Sequence, residues 1–129
     1  MRKTVIINEK EYEMKANLGT AILYRNLTGR DWLSDLTRIK NKEVTDETQV
    51  YDMVLQMFFC MNIHAKTVKK EEETSEVYLE RLEKRITDKK YFIWLDENDF
   101  DFSSFDKEII KEVMSLWNRQ RVTAVQAKN

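Results

Sequence analysis

Proline is absent from this sequence, and cysteine, histidine and glycine are nearly absent. Its 129 residues include one cysteine, one histidine and two glycines. A single cysteine excludes an internal disulfide and any zinc site built from several cysteines, and a single histidine excludes a histidine-rich metal site. Two glycines are too few for a glycine-rich phosphate loop or for the glycine fingerprint of dinucleotide binding. Because helix-breaking residues are so scarce, the composition favours helices joined by polar turns.

An excess of charge of one sign and a long apolar run are missing as well. The 22 Lys and Arg residues balance 23 Asp and Glu residues, which leaves a formal net charge of −1. That balance argues against the strongly basic surface of a nucleic-acid-binding domain. No apolar run approaches the roughly 18 residues of a membrane-spanning helix, and the residues after Met1 do not form a signal peptide. We therefore expect one cytoplasmic domain without nucleic-acid or membrane partners.

Residues 1–16 have the alternating pattern of a β-hairpin. β-branched residues fill positions 4–7, and Tyr12 and Met14 alternate with charged residues in the second strand. The connection that begins at Asn8 suits either a two-residue or a three-residue turn, because asparagine tolerates a positive φ angle. Two strands are only marginally stable alone, so the hairpin is expected to pack on helices or to pair with another chain.

Helical periodicity and capping residues predict a bundle of about five helices over residues 17–121. The first helix is expected from about Leu18 to Thr28, with Asn17 as its N-cap and Gly29 as a left-handed C-cap. A long apolar stretch in the middle of the chain is interpreted as a central helix, either all core or half core and half interface. The remaining helices are expected to begin near polar capping residues, at Asp31, at Thr45 or Asp46, near Glu76, and at Ser103 or Ser104.

Two segments are less defined by the sequence. Residues 91–95 are five apolar residues in a row, for which periodicity does not decide between helix and strand. Residues 122–129 show no periodicity and are expected to form a flexible tail. Together with the hairpin, the predicted elements make a single α+β domain that is mainly α-helical.

The chain contains only weak candidates for a metal site or a catalytic site. Residues 97–108 place acidic and hydroxyl groups at the spacing of an EF-hand loop, but Phe102 stands where the sharp turn requires glycine. A small metal-binding protein that uses this loop is kept as an alternative, and a loop anchored by phenylalanines is the simpler interpretation. Cys60 and His64 could share a helix face, but a thiol within an apolar run is usually unreactive. We expect no enzyme activity, no catalytic residues, no metal and no cofactor.

Apolar residues exceed what the core of a small bundle needs. Residues 50–63, 91–95 and 105–117 each carry several large apolar side chains, and the surplus predicts a surface that binds a partner protein. Charge is also uneven, since residues 1–45 carry 9 basic and 6 acidic side chains whereas residues 91–112 carry 2 and 7. Such a dipolar chain could form a head-to-tail homo-oligomer, although two ordinary solvated faces are the simpler interpretation.

The N-terminal third of the chain resembles a known family in two short motifs. Ile6–Lys15 is similar to a hairpin of the form I-(N)-G-K-x-Y-x-(L/M), and Tyr24–Asp31 is similar to a helix end of the form Y/F-R-x-L-T-G-(K/R)-D. Both motifs are typical of the tail assembly chaperones of long-tailed phages and prophages of Gram-positive bacteria. Glu9 departs from the family pattern by replacing a glycine, and the charged segment 66–74 has no counterpart in that pattern.

The resemblance implies a chaperone that binds the tape-measure protein and recruits tail-tube subunits in the host cytoplasm, without entering the mature virion. A helix of the tape-measure protein would lie in an apolar groove of the chaperone. In a homo-oligomer, the weak contacts of the individual copies would add up. A bacterial or prophage regulatory or adaptor domain that binds one partner is the alternative. The predicted protein-binding residues are the motif positions Tyr24, Leu27 and Trp32 and the adaptable groove positions Met53, Met57, Phe58 and Met61. For each of them, plain core packing is the alternative interpretation.

Overall fold

A two-stranded hairpin precedes six helices in the part of the chain that the structure describes. The computed structural model describes residues 1–116, and no helix in that range is long and apolar enough to cross a membrane. The chain is mainly α-helical and belongs to the α+β class, as the sequence predicts. The predicted end of the last helix and the predicted tail, residues 117–129, lie outside the described residues. In chain order the elements are β1 (Arg2–Ile7), β2 (Lys10–Lys15), α1 (Leu18–Thr28), α2 (Trp32–Lys40), α3 (Glu47–Lys66), α4 (Ser75–Arg85), α5 (Asp88–Glu97) and α6 (residues 107–116).

The hairpin turns through Asn8 and Glu9, which have positive φ angles of 53° and 66°. A left-handed conformation at both positions is the pattern of a type I′ turn, whose twist matches that of the strands. Antiparallel pairing places Val5 opposite Tyr12, and both side chains are buried as β2 packs against α3. Glu9 therefore adopts, at a modest steric cost, the conformation that the glycine of the family motif would adopt freely.

Polar caps fix the helix starts that the sequence predicts. Asn17 caps α1 through reciprocal hydrogen bonds with Thr20, and Gly29 ends that helix with a φ angle of 73°. Asp31 and Asp46 accept backbone hydrogen bonds at the starts of α2 and α3. Each cap satisfies N–H groups that helix geometry leaves without a partner inside the helix. The predicted N-caps of these three helices and the predicted C-cap of α1 are therefore confirmed.

The predicted start of the last helix needs a correction. Asp106 is its capping residue, because Asp106 Oδ1 accepts the N–H of Ile109 at 3.0 Å and the helix begins one residue later. Ser103 and Ser104, the predicted caps, close the preceding turn by donating to Asp101 Oδ1, the first from its hydroxyl and the second from its backbone N–H. Several residues that can cap a helix follow one another here. Ser103 and Ser104 form hydrogen bonds within the preceding turn, so the helix is capped by Asp106 instead.

Residues 91–95 are helical and belong to α5, which Thr87 caps by accepting a backbone hydrogen bond. The buried side chains of Tyr91 and Trp94 are three residues apart, whereas Phe92 between them is 69% exposed. That spacing of buried side chains is helical, since a strand would bury alternate residues. Because this segment is a helix, the described part of the chain contains six helices where the sequence predicted about five.

The central helix of the fold is α3. The hairpin strand β2 and the helices α1, α2, α4 and α5 all pack against it, and its residues 57–65 are all buried. The ring of Phe58 lies in an aromatic cluster, with its centroid 5.4 Å from that of Trp94. Asn62 accepts a hydrogen bond from Trp94 Nε1 and donates one to the backbone oxygen of Glu13. This buried polar bridge ties the hairpin and α5 to the same helix.

Candidate functional site

The structure places the predicted protein-binding residues almost entirely in the interior. Six of the seven are fully buried, and Leu27 is partly exposed. The hairpin and four helices pack around α3 and leave no open face at its methionine positions. The prediction that these side chains form an open groove is therefore wrong, and the alternative interpretation, plain core packing, holds for six of them. These six residues are Tyr24, Trp32, Met53, Met57, Phe58 and Met61.

The motif around Gly29 builds the corner between α1 and α2. The Tyr24 hydroxyl donates to Asp35 Oδ2 at 2.6 Å, and Arg30 Nε donates to the same oxygen at 2.9 Å. Arg30 Nη2 also donates to Gln56 Oε1 on α3 at 2.7 Å. Burial, together with the neighbouring Asp35 carboxylate, raises the pKa of Tyr24, so its hydroxyl stays protonated as a donor. The motif residues thus hold together the corner between α1 and α2 and leave little of their own surface open to a partner.

An apolar groove lies between α1 and α4, two helices that both pack on α3. Its volume is about 610 Å³, which is within the usual range of binding pockets. Leu18 and Leu79 line it from the two helices, and His64 lines it from α3. The residues that line the groove are Lys15, Asn17, Leu18, Gly19, Leu23, His64, Tyr78, Leu79 and Leu82.

The walls of this groove expose apolar side chains to solvent. Leu18 is 75% exposed and Leu79 is 43% exposed. Leu23 and Leu82 line the same groove and are buried. Exposed leucines on two walls above buried leucines form a surface that fits the apolar face of a partner helix.

Gly19 keeps the groove open beside the imidazole of His64. A β-carbon at this position would lie 3.8 Å from His64 Cε1 and 3.0 Å from Asn17 Oδ1. The first distance is ordinary van der Waals contact, so any side chain here would cover the ring. The second distance is tight and would disturb the oxygen that caps α1. Glycine therefore preserves both the cap of the helix and the depth of the groove.

His64 is neutral at pH 7 and leaves its part of the groove uncharged. Its Nδ1 lies 2.8 Å from Thr20 Oγ1, and the residue is buried. Burial, together with the positive charges of Lys15, Arg2 and the N-terminal ammonium group, lowers the pKa of His64 to about 4. Lys15 is the one charged side chain among the described residues that line the groove. An apolar partner surface would therefore meet little charge to desolvate.

We expect His64 to make the stability of the fold depend on pH below neutrality. Its pKa is about 4 in the folded chain against an ordinary value of 6.5, so folding favours the neutral ring. This contribution is complete above pH 6.5 and is lost as the pH falls towards 4. Urea unfolding at pH 4.5 should therefore show about 2 kcal/mol less stability from this group than at pH 7. The variant His64→Gln cannot titrate and should lack that part of the loss, whereas identical pH profiles would refute the assignment.

The other candidates for chemistry do not assemble a site in residues 1–116. The Cys60 thiol is buried, and burial raises its pKa, which makes a reactive thiolate unfavourable. In the acidic loop, Asp101 Oδ1 already accepts hydrogen bonds from Ser103 and Ser104. Nowhere in the described range do three or more His, Cys, Asp or Glu side chains gather as ligands for a metal ion. The loop geometry therefore gives the metal-binding alternative no support.

Comparisons with known proteins found no match for this chain. No protein-family model matches the chain, and no curated protein and no solved structure matches it either. The fold and the site define a mainly α-helical α+β protein with an apolar surface groove. Its function is inferred from that groove and from the resemblance of its two N-terminal motifs.

Proposed function

We propose that this protein is a tail assembly chaperone of a long-tailed phage or prophage, and that it binds an apolar helix of the tape-measure protein in the groove between α1 and α4. The observation that carries the proposal is the exposure of Leu18 and Leu79 on opposite walls of one groove. A tape-measure protein is a long helical chain that must be kept from aggregating before the tail tube encloses it. An amphipathic helix lays its apolar face into a groove of this kind.

The proposed chaperone acts in the host cytoplasm by binding and is absent from the mature virion. Contacts between neighbouring copies along one tape-measure chain would let weak individual contacts add up, because they link the copies into one multivalent homo-oligomer. Recruitment of tail-tube subunits would use a different face, since the groove is occupied. Both roles, binding the tape-measure protein and recruiting tail-tube subunits, are inferred from the motif resemblance. The groove is the proposed surface for the first of these roles.

Copurification with the tape-measure protein tests the proposal. In the variant Leu18→Gln/Leu79→Gln, both walls of the groove lose their apolar side chains, while glutamine keeps the helices intact. We expect the wild type to keep a coexpressed tape-measure fragment soluble and bound. The double variant should bind at least about tenfold more weakly, because each leucine buried at an interface contributes roughly 1.5–3 kcal/mol.

The matched control is Val68→Gln/Phe92→Gln, which removes two exposed apolar side chains that lie outside the groove. This control should bind like the wild type, and both double variants should keep their thermal stability, since all four positions are exposed. Equal binding by the groove variant and the control would contradict the groove assignment. A tape-measure fragment that stays insoluble and unbound with the wild type would contradict the chaperone function itself.

A further inference from the structure

A second cleft, rich in positive charge, lies on the side of α4 and α5 that faces the hairpin turn. It has a volume of about 390 Å³. Four cationic side chains line it from four elements: Lys10 of β2, Lys66 of α3, Arg85 of α4 and Lys90 of α5. Glu97 is the one carboxylate among the described residues that line this basic cleft. Positive charge therefore predominates there although the chain as a whole is nearly neutral.

None of these four cations is paired with a carboxylate within residues 1–116. The ion pairs of the described chain all join other residues. Arg85 Nη1 donates to the hydroxyl of Thr67, and Lys10 Nζ donates to the side-chain oxygen of Asn98 at 3.5 Å, so the partners of both are neutral. Burial lowers the pKa of Lys66, and the charges of Lys10 and Arg85 lower it further. The cleft thus holds like charges close together, and an anion would relieve their repulsion.

The floor of the basic cleft is apolar. Phe59 and Trp94 line it together with Ile63 and Ile93, and the two isoleucines come from different helices. A ligand that fills this cleft would place an apolar group against these side chains and negative groups at the rim. An acidic peptide that carries a large apolar side chain between carboxylates meets both requirements.

The backbone at the basic cleft does not favour phosphate. The helices α3 and α4 reach it with their C-terminal ends, at Lys66 and Arg85, where carbonyl oxygens are free and N–H groups are not. In the first turn of α5, the N–H of Lys90 is already donated to Thr87 Oγ1. Any anion in this cleft must therefore be held by the side-chain cations, and the apolar side chains that also line the cleft favour a peptide with an apolar residue over free phosphate.

We propose that the basic cleft binds an acidic segment of a partner protein, with carboxylates on Lys66 and Lys90 and a large apolar side chain on the floor. This second site is separate from the groove between α1 and α4. It does not depend on the proposed chaperone function. It would let one chain hold two partners, or two parts of one partner, at the same time.

An NMR titration of the full chain tests this proposal. The probe is a blocked hexapeptide of sequence Glu-Glu-Leu-Phe-Glu-Glu, and the comparison probes are the same peptide with lysine for glutamate, and inorganic pyrophosphate. We expect the acidic peptide to shift the methyl signals of Ile93, a partly exposed side chain that lines the cleft, and to bind more weakly as salt is raised. In Lys66→Gln/Lys90→Gln, the loss of two charge pairs should weaken binding roughly tenfold.

The matched control is Lys84→Gln/Lys89→Gln, which removes the same charge from exposed neighbours outside the cleft. This control should bind the acidic peptide like the wild type. Lys66 and Lys90 make no side-chain hydrogen bond or ion pair within residues 1–116, so both double variants should fold normally. Equal weakening in the two double variants would overturn the proposal in favour of non-specific attraction. Tighter binding of pyrophosphate than of peptide would also overturn it, as would unshifted methyl signals of Ile93.

Discussion

Replacing Asp35 with alanine is expected to lower the free energy of unfolding by about 3 kcal/mol. The Asp35 carboxylate is 2% exposed, and one of its oxygens accepts hydrogen bonds from both Tyr24 and Arg30. Without it, the buried tyrosine hydroxyl loses its acceptor and the guanidinium loses its counter-charge. Arg30 remains partly exposed to water, which keeps the expected cost at the lower end for a broken buried ion pair.

The matched control for this prediction is Arg38→Ala. Arg38 approaches the other oxygen of Asp35 at 3.9 Å and is itself largely exposed, so its removal should change stability by less than about 0.5 kcal/mol. Urea denaturation at pH 7 measures both variants. If the two variants lost similar amounts of stability, the corner between α1 and α2 would not depend on the hydrogen-bonded network around Asp35.

Replacing Phe58 with alanine should cost about 3–5 kcal/mol of stability, the usual range for a phenylalanine removed from a well-packed core. Its ring is fully buried and lies 5.8 Å from Tyr12, 5.4 Å from Trp94 and 5.6 Å from Phe105, between ring centroids. These neighbours belong to the hairpin, to α5 and to the loop before α6. Because they are held by separate elements, they cannot all move inward to fill the cavity.

The same substitution at Phe92, which is 69% exposed on α5, is the control and should change stability by less than about 0.5 kcal/mol. Thermal or urea unfolding of the two variants measures the difference. This comparison also separates the two interpretations of Phe58 that the sequence allows. A Phe58→Ala variant that kept its stability and lost a binding partner would restore the partner-surface interpretation.

Most of the fold could be predicted because its signals are local. The caps Asn17, Asp31 and Asp46 act within one turn of their own helices, and Gly29 adopts the left-handed conformation that few other residues tolerate. Helix starts and ends are therefore readable from neighbouring residues. The start of α6 is predicted too early, because Ser103, Ser104 and Asp106 are all good capping residues and only the last of them caps the helix.

The candidate site could not be predicted, because it depends on which helices happen to be neighbours. Met57 and Met61 on α3 look like an adaptable surface in the sequence, and only the elements packed around that helix make them core. Leu18 and Leu79 are far apart in the chain and are joined into one groove by their helices packing on α3. The spacing of Leu18 and Ile22 beside Gly19 was a local indication of an exposed apolar strip on α1.

The motif resemblance and the groove concern different parts of the molecule. Tyr24 and Arg30 belong to the motif and hold the corner between α1 and α2. The groove uses the opposite end of α1, at Leu18 and Gly19. The motif residues therefore fix the direction in which the chain leaves α1, and they do not line the groove at Leu18 and Gly19.

Methyl NMR of the wild-type chain with a soluble tape-measure fragment shows whether a partner helix lies between α1 and α4 on the otherwise exposed leucines. We expect the methyl signals of Leu18 and Leu79 to shift or broaden on addition of the fragment, while those of Val68, outside the groove, stay unchanged. Binding of the fragment with unchanged Leu18 and Leu79 signals would contradict this placement of the partner helix.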